Sequence, residues 1–165
     1  MGKTLVDNNL RRTVLGSPVH FLAFGFGSGL SPKAPGTMGT LAAIPLYLLL
    51  AHLSLLEYLL VLAVMSVVGI WLCGESSRRL GVHDHGGIVW DEFAGFLLTM
   101  TAAPQGWVWI ALGFALFRLF DIWKPWPVRI ADRQIHGGLG IMLDDLLAGV
   151  YAWLLLQLAA HFAGA

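Results

Sequence analysis

Three long apolar runs, almost free of charge, restrict this chain more than any other feature. Residues 41–73 form a 33-residue run with one charged side chain, Glu57, and residues 93–117 and 146–165 carry no acidic or basic side chain. A helix needs about 20 apolar residues to cross the hydrocarbon core of a bilayer, with a usable range of about 17–25. The runs therefore predict a small integral membrane protein, not a water-soluble monomer or a disordered chain.

The lengths of these runs predict five membrane helices. The first run is too long for one helix and short for two, so we expect a tight hairpin with its turn at residues 52–57. The Pro-Gln-Gly motif at residues 104–106 divides the second run into helices near 91–103 and 107–123, and a last helix is expected near 145–163. All five are shorter than a full span, which favours a thinned bilayer or partial insertion.

The predicted fold class is all-α, a small polytopic membrane helical bundle. We expect a flexible N-terminal segment over residues 1–17 and a single helical domain over residues 18–165. The apolar stretch at residues 19–30 is glycine-rich and lacks the small-residue cleavage site of a signal peptide. It is expected to be interfacial or re-entrant.

Charged residues are scarce, and their placement predicts the orientation in the membrane. They make up 12% of the chain, against about 25% in ordinary domains. Ten basic and ten acidic side chains cancel, which excludes a basic surface for nucleic acid, and a single cysteine excludes a disulfide framework. With a cytoplasmic N-terminus, all ten lysines and arginines fall in the cytoplasmic segments 1–39, 74–92 and 118–145. Every acid except Glu57 lies there too, so we predict a polar active-site face at the cytoplasmic surface.

The first cytoplasmic loop, GSGLSPKAPGTMGT at residues 27–40, leads directly into the first predicted helix. Thr37 or Thr40 can cap this helix, and the free amides and positive dipole at a helix N-terminus favour anions. Lys33 adds a positive charge on a flexible stem. The loop therefore predicts phosphate binding by Lys33 and Thr37, although an ordinary glycine-rich loop before a capped helix has the same composition.

The second loop, GVHDHGGIVWDEF at residues 81–93, holds five ionisable side chains. Asp91 and Glu92 begin a predicted membrane helix, where acids gain from the helix dipole, so simple capping is one interpretation. Paired carboxylates also suit Mg²⁺, which prefers hard oxygen ligands. His83 and His85, on either side of Asp84, can bind a metal, donate to an anion or transfer protons.

The third loop contains a second pair of adjacent acids, Asp144 and Asp145, directly before the last predicted helix. Upstream, Asp121 lies three residues from both Arg118 and Lys124, a spacing that predicts a local ion-pair network. Capping does not account for two acid pairs and Asp121 on one face. Interfacial acids need cations or a metal as partners. The loops together predict a divalent-metal site.

Cys73 and Arg79 match the C-x5-R spacing of cysteine phosphatases. That chemistry needs a thiolate at a helix N-terminus. Cys73 is instead expected at the end of an apolar helix, where the dipole disfavours a thiolate. We therefore expect that replacing Cys73 with serine leaves activity intact.

Three sequence blocks occur in a characteristic order and separation: GSGLSPKAPGTMGT, GVHDHGGIVWDEFAG and RLFDIWKPWPVRIADRQIHGGLGIMLDDLLAG. Through them the chain resembles the phosphatidylglycerophosphatase A family over about residues 18–150. The resemblance implies a multi-pass lipid phosphatase of the bacterial inner membrane, dependent on Mg²⁺, that converts phosphatidylglycerophosphate to phosphatidylglycerol. It also implies an all-α fold with helices packed around a central one. The family's acids correspond to Asp84, Asp91, Glu92, Asp121, Asp144 and Asp145.

The loops and the resemblance together predict a role for each candidate residue. The expected ligands of one or two Mg²⁺ ions are Asp91, Glu92, Asp144 and Asp145. The expected catalytic residues are His83, Asp84, His85 and Asp121, and the expected phosphate-binding residues are Lys33, Thr37, Lys124 and Arg129. Direct attack by water and an aspartyl-phosphate intermediate both stay open. A non-catalytic ion or proton carrier is the alternative function, but it needs charges within helices near mid-membrane, and here they are expected at helix ends.

Overall fold

The turn predicted to divide residues 41–73 is present in the computed structural model, which describes residues 2–82, 85–126 and 128–165. For residues 2–7 and 131–133 only the backbone is described. The α-helices in these ranges are α1 (Gly2–Leu15), α2 (Pro18–Ala23), α3 (Pro35–Leu50), α4 (Leu55–Leu80), α5 (Trp90–Thr99), α6 (Trp107–Trp123), α7 (Val128–Gln134) and α8 (Gly137–Ala163). A 3₁₀ turn lies at Ser28–Leu30, and no strand occurs among the described residues. The all-α fold class is confirmed.

The turn between α3 and α4 is shorter than predicted, but the tight hairpin is not formed, because the two helices pack on α5 and hardly contact each other. α3 ends at Leu50, and α4 already begins at Leu55 because Ser54 and Glu57 form a capping box. The Ser54 hydroxyl accepts the amide of Glu57, and the Glu57 carboxylate accepts the Ser54 amide at 2.9 Å. Glu57 therefore stabilises the start of α4.

Two helices are longer than the sequence predicted, and the expectation that all five are short is wrong for them. α4 has 26 residues and α8 has 27, which corresponds to about 40 Å of helix. Both are apolar and long enough to cross a membrane, whereas α3, α5 and α6 are shorter than a full span. α4 continues through its charged C-terminal turn to Leu80, and α8 begins at Gly137, within what was predicted to be a loop.

The short helix α5 forms the centre of the bundle. It packs against α3, α4, α6 and α8, and all of its residues are buried except Leu98, which is half-buried. Its large side chains Phe93, Phe96 and Leu97 are essentially inaccessible to solvent. A helix that is apolar and buried on all sides needs no amphipathic pattern. The central helix that the resemblance implied is therefore α5.

Two glycines bring α5 and α8 unusually close together. A Cβ atom on Gly149 would lie 2.6 Å from the carbonyl oxygen of Gly95, closer than real side chains approach a backbone. The Thr99 hydroxyl accompanies this contact and donates to the Gly95 carbonyl at 2.9 Å. This backbone contact lies about one turn from the acidic residues of both helices, so it sets the distance between them.

The N-terminal region packs on the same bundle. The segment expected to be flexible, residues 1–17, contains α1, and its Val14 side chain is fully buried. The glycine-rich stretch at residues 19–30 forms α2 and the 3₁₀ turn, and buries Phe24 in the core. His20 anchors α2 to α4 through a 2.8 Å hydrogen bond between its Nδ1 and the Ser76 hydroxyl. The division at residue 18 and the interfacial placement both stay predictions.

Candidate active site

Three acidic side chains meet where the central helix begins. Asp91 and Glu92 lie in the first turn of α5, and Asp145 reaches them from α8. One carboxylate oxygen from each residue lies within 4.8 Å of those of the other two. All three residues are buried, with exposed fractions of 7%, 9% and 3% respectively. We call these three residues the carboxylate cluster.

The position of Asp144 and Asp145 differs from the prediction. They were expected directly before the last helix, but α8 begins at Gly137, so the pair lies in its third turn. Favourable interaction with the helix dipole is confined to the first turn and does not account for acids there. The expectation that acids lie only at helix ends is therefore wrong for this pair.

The chemistry of the carboxylate cluster fits a divalent cation. Three acids buried so close together repel one another, and buried charges require a partner. Glu92 Oε2 and Asp145 Oδ2 are inaccessible to solvent and lack a hydrogen-bond partner within the described part of the chain. Carboxylate oxygens are the hard ligands that Mg²⁺ prefers. A bound cation would use these oxygens and relieve the repulsion.

Two basic side chains, one on α6 and one at its C-terminal end, approach acids in or next to the carboxylate cluster. Arg118 forms an ion pair with Asp121, as the spacing predicted, and its Nη1 also lies 3.8 Å from Glu92 Oε1. Lys124 reaches α8, where its Nζ lies 2.7 Å from Asp144 Oδ2. Lys124 has a left-handed backbone (φ 47°), which is uncommon for a residue with a side chain and turns the chain at the end of α6.

Arg118 is the site residue that sequence reasoning missed. The spacing paired Arg118 only with Asp121 on its own helix, because the contact with Glu92 joins two different helices, α6 and α5. One signal was available: Arg118 is the first charged residue after 25 uncharged ones. Its side chain is only 15% exposed, which is unusual for an arginine unless it is paired.

The first turn of α3 closes another side of the site. α3 starts with Ala34 as N-cap and Pro35 as its first residue, so the prediction that Thr37 or Thr40 caps it is wrong. Thr37 lies half-buried in the first turn, and the Thr40 hydroxyl donates to the Gly36 carbonyl. Gly36 faces Glu92 and Arg118 so closely that a Cβ atom would lie 3.1 Å from Arg118 Nη1.

The remaining predicted residues are less tightly placed. Lys33 is exposed in the loop before α3, and no described contact joins its side chain to the acids. Arg129 is exposed on α7 and lines a cleft of about 430 Å³ together with Lys124. His85 is half-buried, and its Nδ1 accepts the Gly87 amide at 3.0 Å. His83 and Asp84 lie outside the described residues.

The sequence predicted that Cys73 ends its helix. In the structure Cys73 lies within α4. It is fully buried next to the carboxylate cluster, and its sulfur accepts a hydrogen bond from the Asp91 amide. Cys73 is far from the N-terminus of its own helix, and the buried acids beside it disfavour a negative thiolate.

Comparison with known proteins agrees with the resemblance seen in the sequence. The family model described as Phosphatidylglycerophosphatase A matches residues 21–160. A Phosphatidylglycerophosphatase A of Escherichia coli is 50% identical over 151 residues, covering 91% of this chain and 88% of that protein. One of Haemophilus influenzae is 47% identical over 148 residues, covering 88% and 91%. A Putative phosphatidylinositol-3-phosphatase of Bacteroides thetaiotaomicron is 42% identical over 148 residues, covering 85% and 92%.

No solved structure matches the chain. The family model covers most of the bundle, from α2 to α8, and therefore includes every residue of the site described above. On this evidence the chain belongs to the phosphatidylglycerophosphatase A family and is a phosphatase.

Proposed function

We propose that this protein is a Mg²⁺-dependent lipid phosphatase that hydrolyses the terminal phosphomonoester of phosphatidylglycerophosphate, giving phosphatidylglycerol and phosphate. Two relatives carry the name of this activity. The observation that carries the proposal is the buried carboxylate cluster, with a guanidinium and a helix N-terminus directly beside it. Metal ligands and anion-binding groups within one site are what phosphoryl transfer requires.

The proposed location is the bacterial inner membrane, with a multi-pass bundle and the site facing the cytoplasm. Only 22% of the most apolar window of α4 is buried, so most of its apolar surface faces outwards. Val67 on α4 and Val108 and Ile122 on α6 are each about 70% exposed. So many exposed apolar side chains are unfavourable in water and suit a lipid environment. The orientation rests on the placement of the basic residues.

In the proposed site, Asp91, Glu92 and Asp145 would hold Mg²⁺, and Asp144, which pairs with Lys124, would be a further ligand. When bound, Mg²⁺ supplies positive charge that stabilises the phosphoryl group as negative charge develops on its oxygens. The chain supplies the rest of the charge compensation through Lys124, Arg129, Lys33 and the first turn of α3 with Thr37.

Hydrolysis forms a bond from a water oxygen to phosphorus and breaks the bond from phosphorus to the glycerol oxygen, while the water loses one proton and the glycerol oxygen gains one. The leaving oxygen needs a proton, which we assign to His83 or His85, with Asp84 between them. Asp121 holds Arg118 in place. An acid acting as the nucleophile, with an aspartyl-phosphate intermediate, is the alternative route.

The direct test is release of phosphate from phosphatidylglycerophosphate by purified protein in detergent, with Mg²⁺ and then with EDTA. Asp91→Asn removes a ligand, and Glu57→Gln is the matched control at the distant start of α4. We expect metal-dependent release that Asp91→Asn abolishes and Glu57→Gln preserves. Absence of release by folded wild-type protein with Mg²⁺ would overturn the proposal and favour an ion or proton carrier.

A further inference from the structure

Arg118 carries a guanidinium donor that its two carboxylate partners do not use. The guanidinium pairs with Asp121 through Nη1, and the same atom lies 3.8 Å from Glu92 Oε1. Its Nε is inaccessible to solvent and has no hydrogen-bond partner among the described residues. A buried guanidinium donor without an acceptor is costly, so this donor indicates that a ligand completes the site.

The first turn of α3 faces the same guanidinium. A Cβ atom on Gly36 would overlap Glu92 Oε1 and lie 3.1 and 3.2 Å from Arg118 Nη1 and Nη2. Gly36 and Thr37 are the second and third residues of α3, and amides at these positions have no acceptor within the helix. The positive end of a helix dipole therefore lies against a positive side chain.

Two positive groups at this distance are stable together only with negative charge near them. Glu92 supplies one such charge, but in the proposed function its oxygens also serve the metal. An anion placed between the guanidinium and the α3 amides would satisfy both, because helix N-termini and arginine each bind phosphate well. Gly36 has the size that this close approach demands.

We propose that Arg118, together with the amides of Gly36 and Thr37, binds the oxygens of the phosphomonoester that is cleaved. This inference rests on the proposed function and adds to it the binding site of the reacting phosphate. Arginine suits the task because its planar fork can hold two phosphate oxygens at once while Asp121 fixes its orientation. Lysine offers only a point charge in the same place.

Equilibrium binding of radiolabelled inorganic phosphate in the presence of Mg²⁺ tests this inference without requiring turnover. The variants are Arg118→Lys, Arg118→Met and Gly36→Ala. The matched controls are Arg78→Lys and Arg78→Met, because Arg78 also pairs with an acid three residues away but is largely exposed outside the site. Binding of Mn²⁺ alone and the melting temperature are measured on the same samples.

We expect Arg118→Lys to weaken phosphate binding by about 10-fold and Arg118→Met by about 100-fold, as the loss of charged bidentate hydrogen bonds implies. We expect Gly36→Ala to weaken phosphate binding as well, although this substitution changes no charge. The Mn²⁺ affinity of Arg118→Lys stays within about twofold of wild type, and the Arg78 variants match wild type in every measurement.

Unchanged phosphate affinity in Arg118→Lys and Arg118→Met would overturn the inference, as would an equal loss of phosphate and Mn²⁺ affinity, which would make Arg118 a charge partner of the acids only. Failure of wild-type protein to bind phosphate would also overturn it. Wild-type protein that binds phosphate through Arg118 but releases none from the lipid would uphold this inference and overturn the proposed function.

Discussion

Replacing Gly149 with alanine tests whether the contact between α5 and α8 sets the geometry of the carboxylate cluster. The added Cβ would lie 2.6 Å from the Gly95 carbonyl oxygen, whereas ordinary contacts begin at 3.4 Å. The two backbones must therefore separate by about 0.8 Å, the difference between those distances. Because α5 is enclosed by four helices, it cannot move away without disturbing them.

This displacement acts close to the cluster. Asp145 precedes Gly149 by about one turn of α8, and Glu92 precedes Gly95 by about one turn of α5. Metal sites tolerate distance errors of only about 0.2 Å, and a shift near 1 Å can reduce a rate by about 100-fold. We expect Gly149→Ala to reduce kcat/KM by about 100-fold and the free energy of unfolding by about 1–3 kcal/mol.

The assay combines phosphate release in detergent with thermal unfolding followed by tryptophan fluorescence, for which the chain has seven tryptophans. Val150→Ile is the control, because it adds one carbon atom at the next position of α8, where the side chain is 40% exposed. The control should behave like wild type. A wild-type kcat/KM in Gly149→Ala would refute the role assigned to this contact.

Three further substitutions have separate expected results. Cys73→Ser should keep activity within about twofold, because a serine oxygen also accepts the Asp91 amide; loss of activity would assign chemistry to the thiol. Ser54→Ala should lower the free energy of unfolding by about 0.5–2 kcal/mol without changing kcat, since the cap lies at the far end of α4; a change in kcat would contradict this separation. Burial, and then the charge of Arg79, lower the pKa of His20 from its usual 6.5. The unfolded chain therefore takes up a proton first, and stability falls as the pH drops below about 6.5. Between about pH 7.5 and pH 5 the melting temperature of His20→Gln should fall less than that of wild type. An equal fall in both proteins would exclude His20 as the cause.

The sequence predicted the helices well wherever an apolar run was bounded by a strong break signal. The Pro-Gln-Gly break separates α5 from α6, and the turn between α3 and α4 lies within two residues of its predicted start. The start of α8 was missed because Gly137, Gly138 and Gly140 are typical of a loop, and each glycine costs about 1 kcal/mol in a helix. Packing compensates here, since Gly138 lies against the backbone of α4 at Gly74.

The sequence predicted which acids act together, although they lie on helices and not in loops, and the other side-chain pairs could not be read from spacing. Asp91 and Glu92 were predicted to act with Asp145, and these acids do lie together. The contacts of Arg118 with Glu92 and of Lys124 with Asp144 join different helices. Helical spacing reports only neighbours three or four residues apart, so contacts between helices require the packing of α5, α6 and α8.

Binding of Mn²⁺ in the absence of substrate tests the central claim, that the carboxylate cluster is a metal site. Electron paramagnetic resonance of purified protein would compare wild type, Asp145→Asn and the control Glu57→Gln, with Mg²⁺ as competitor. We expect wild type and Glu57→Gln to bind Mn²⁺ that Mg²⁺ displaces, and Asp145→Asn to bind it at least about 10-fold more weakly. Equal Mn²⁺ affinity in wild type and Asp145→Asn would contradict the claim.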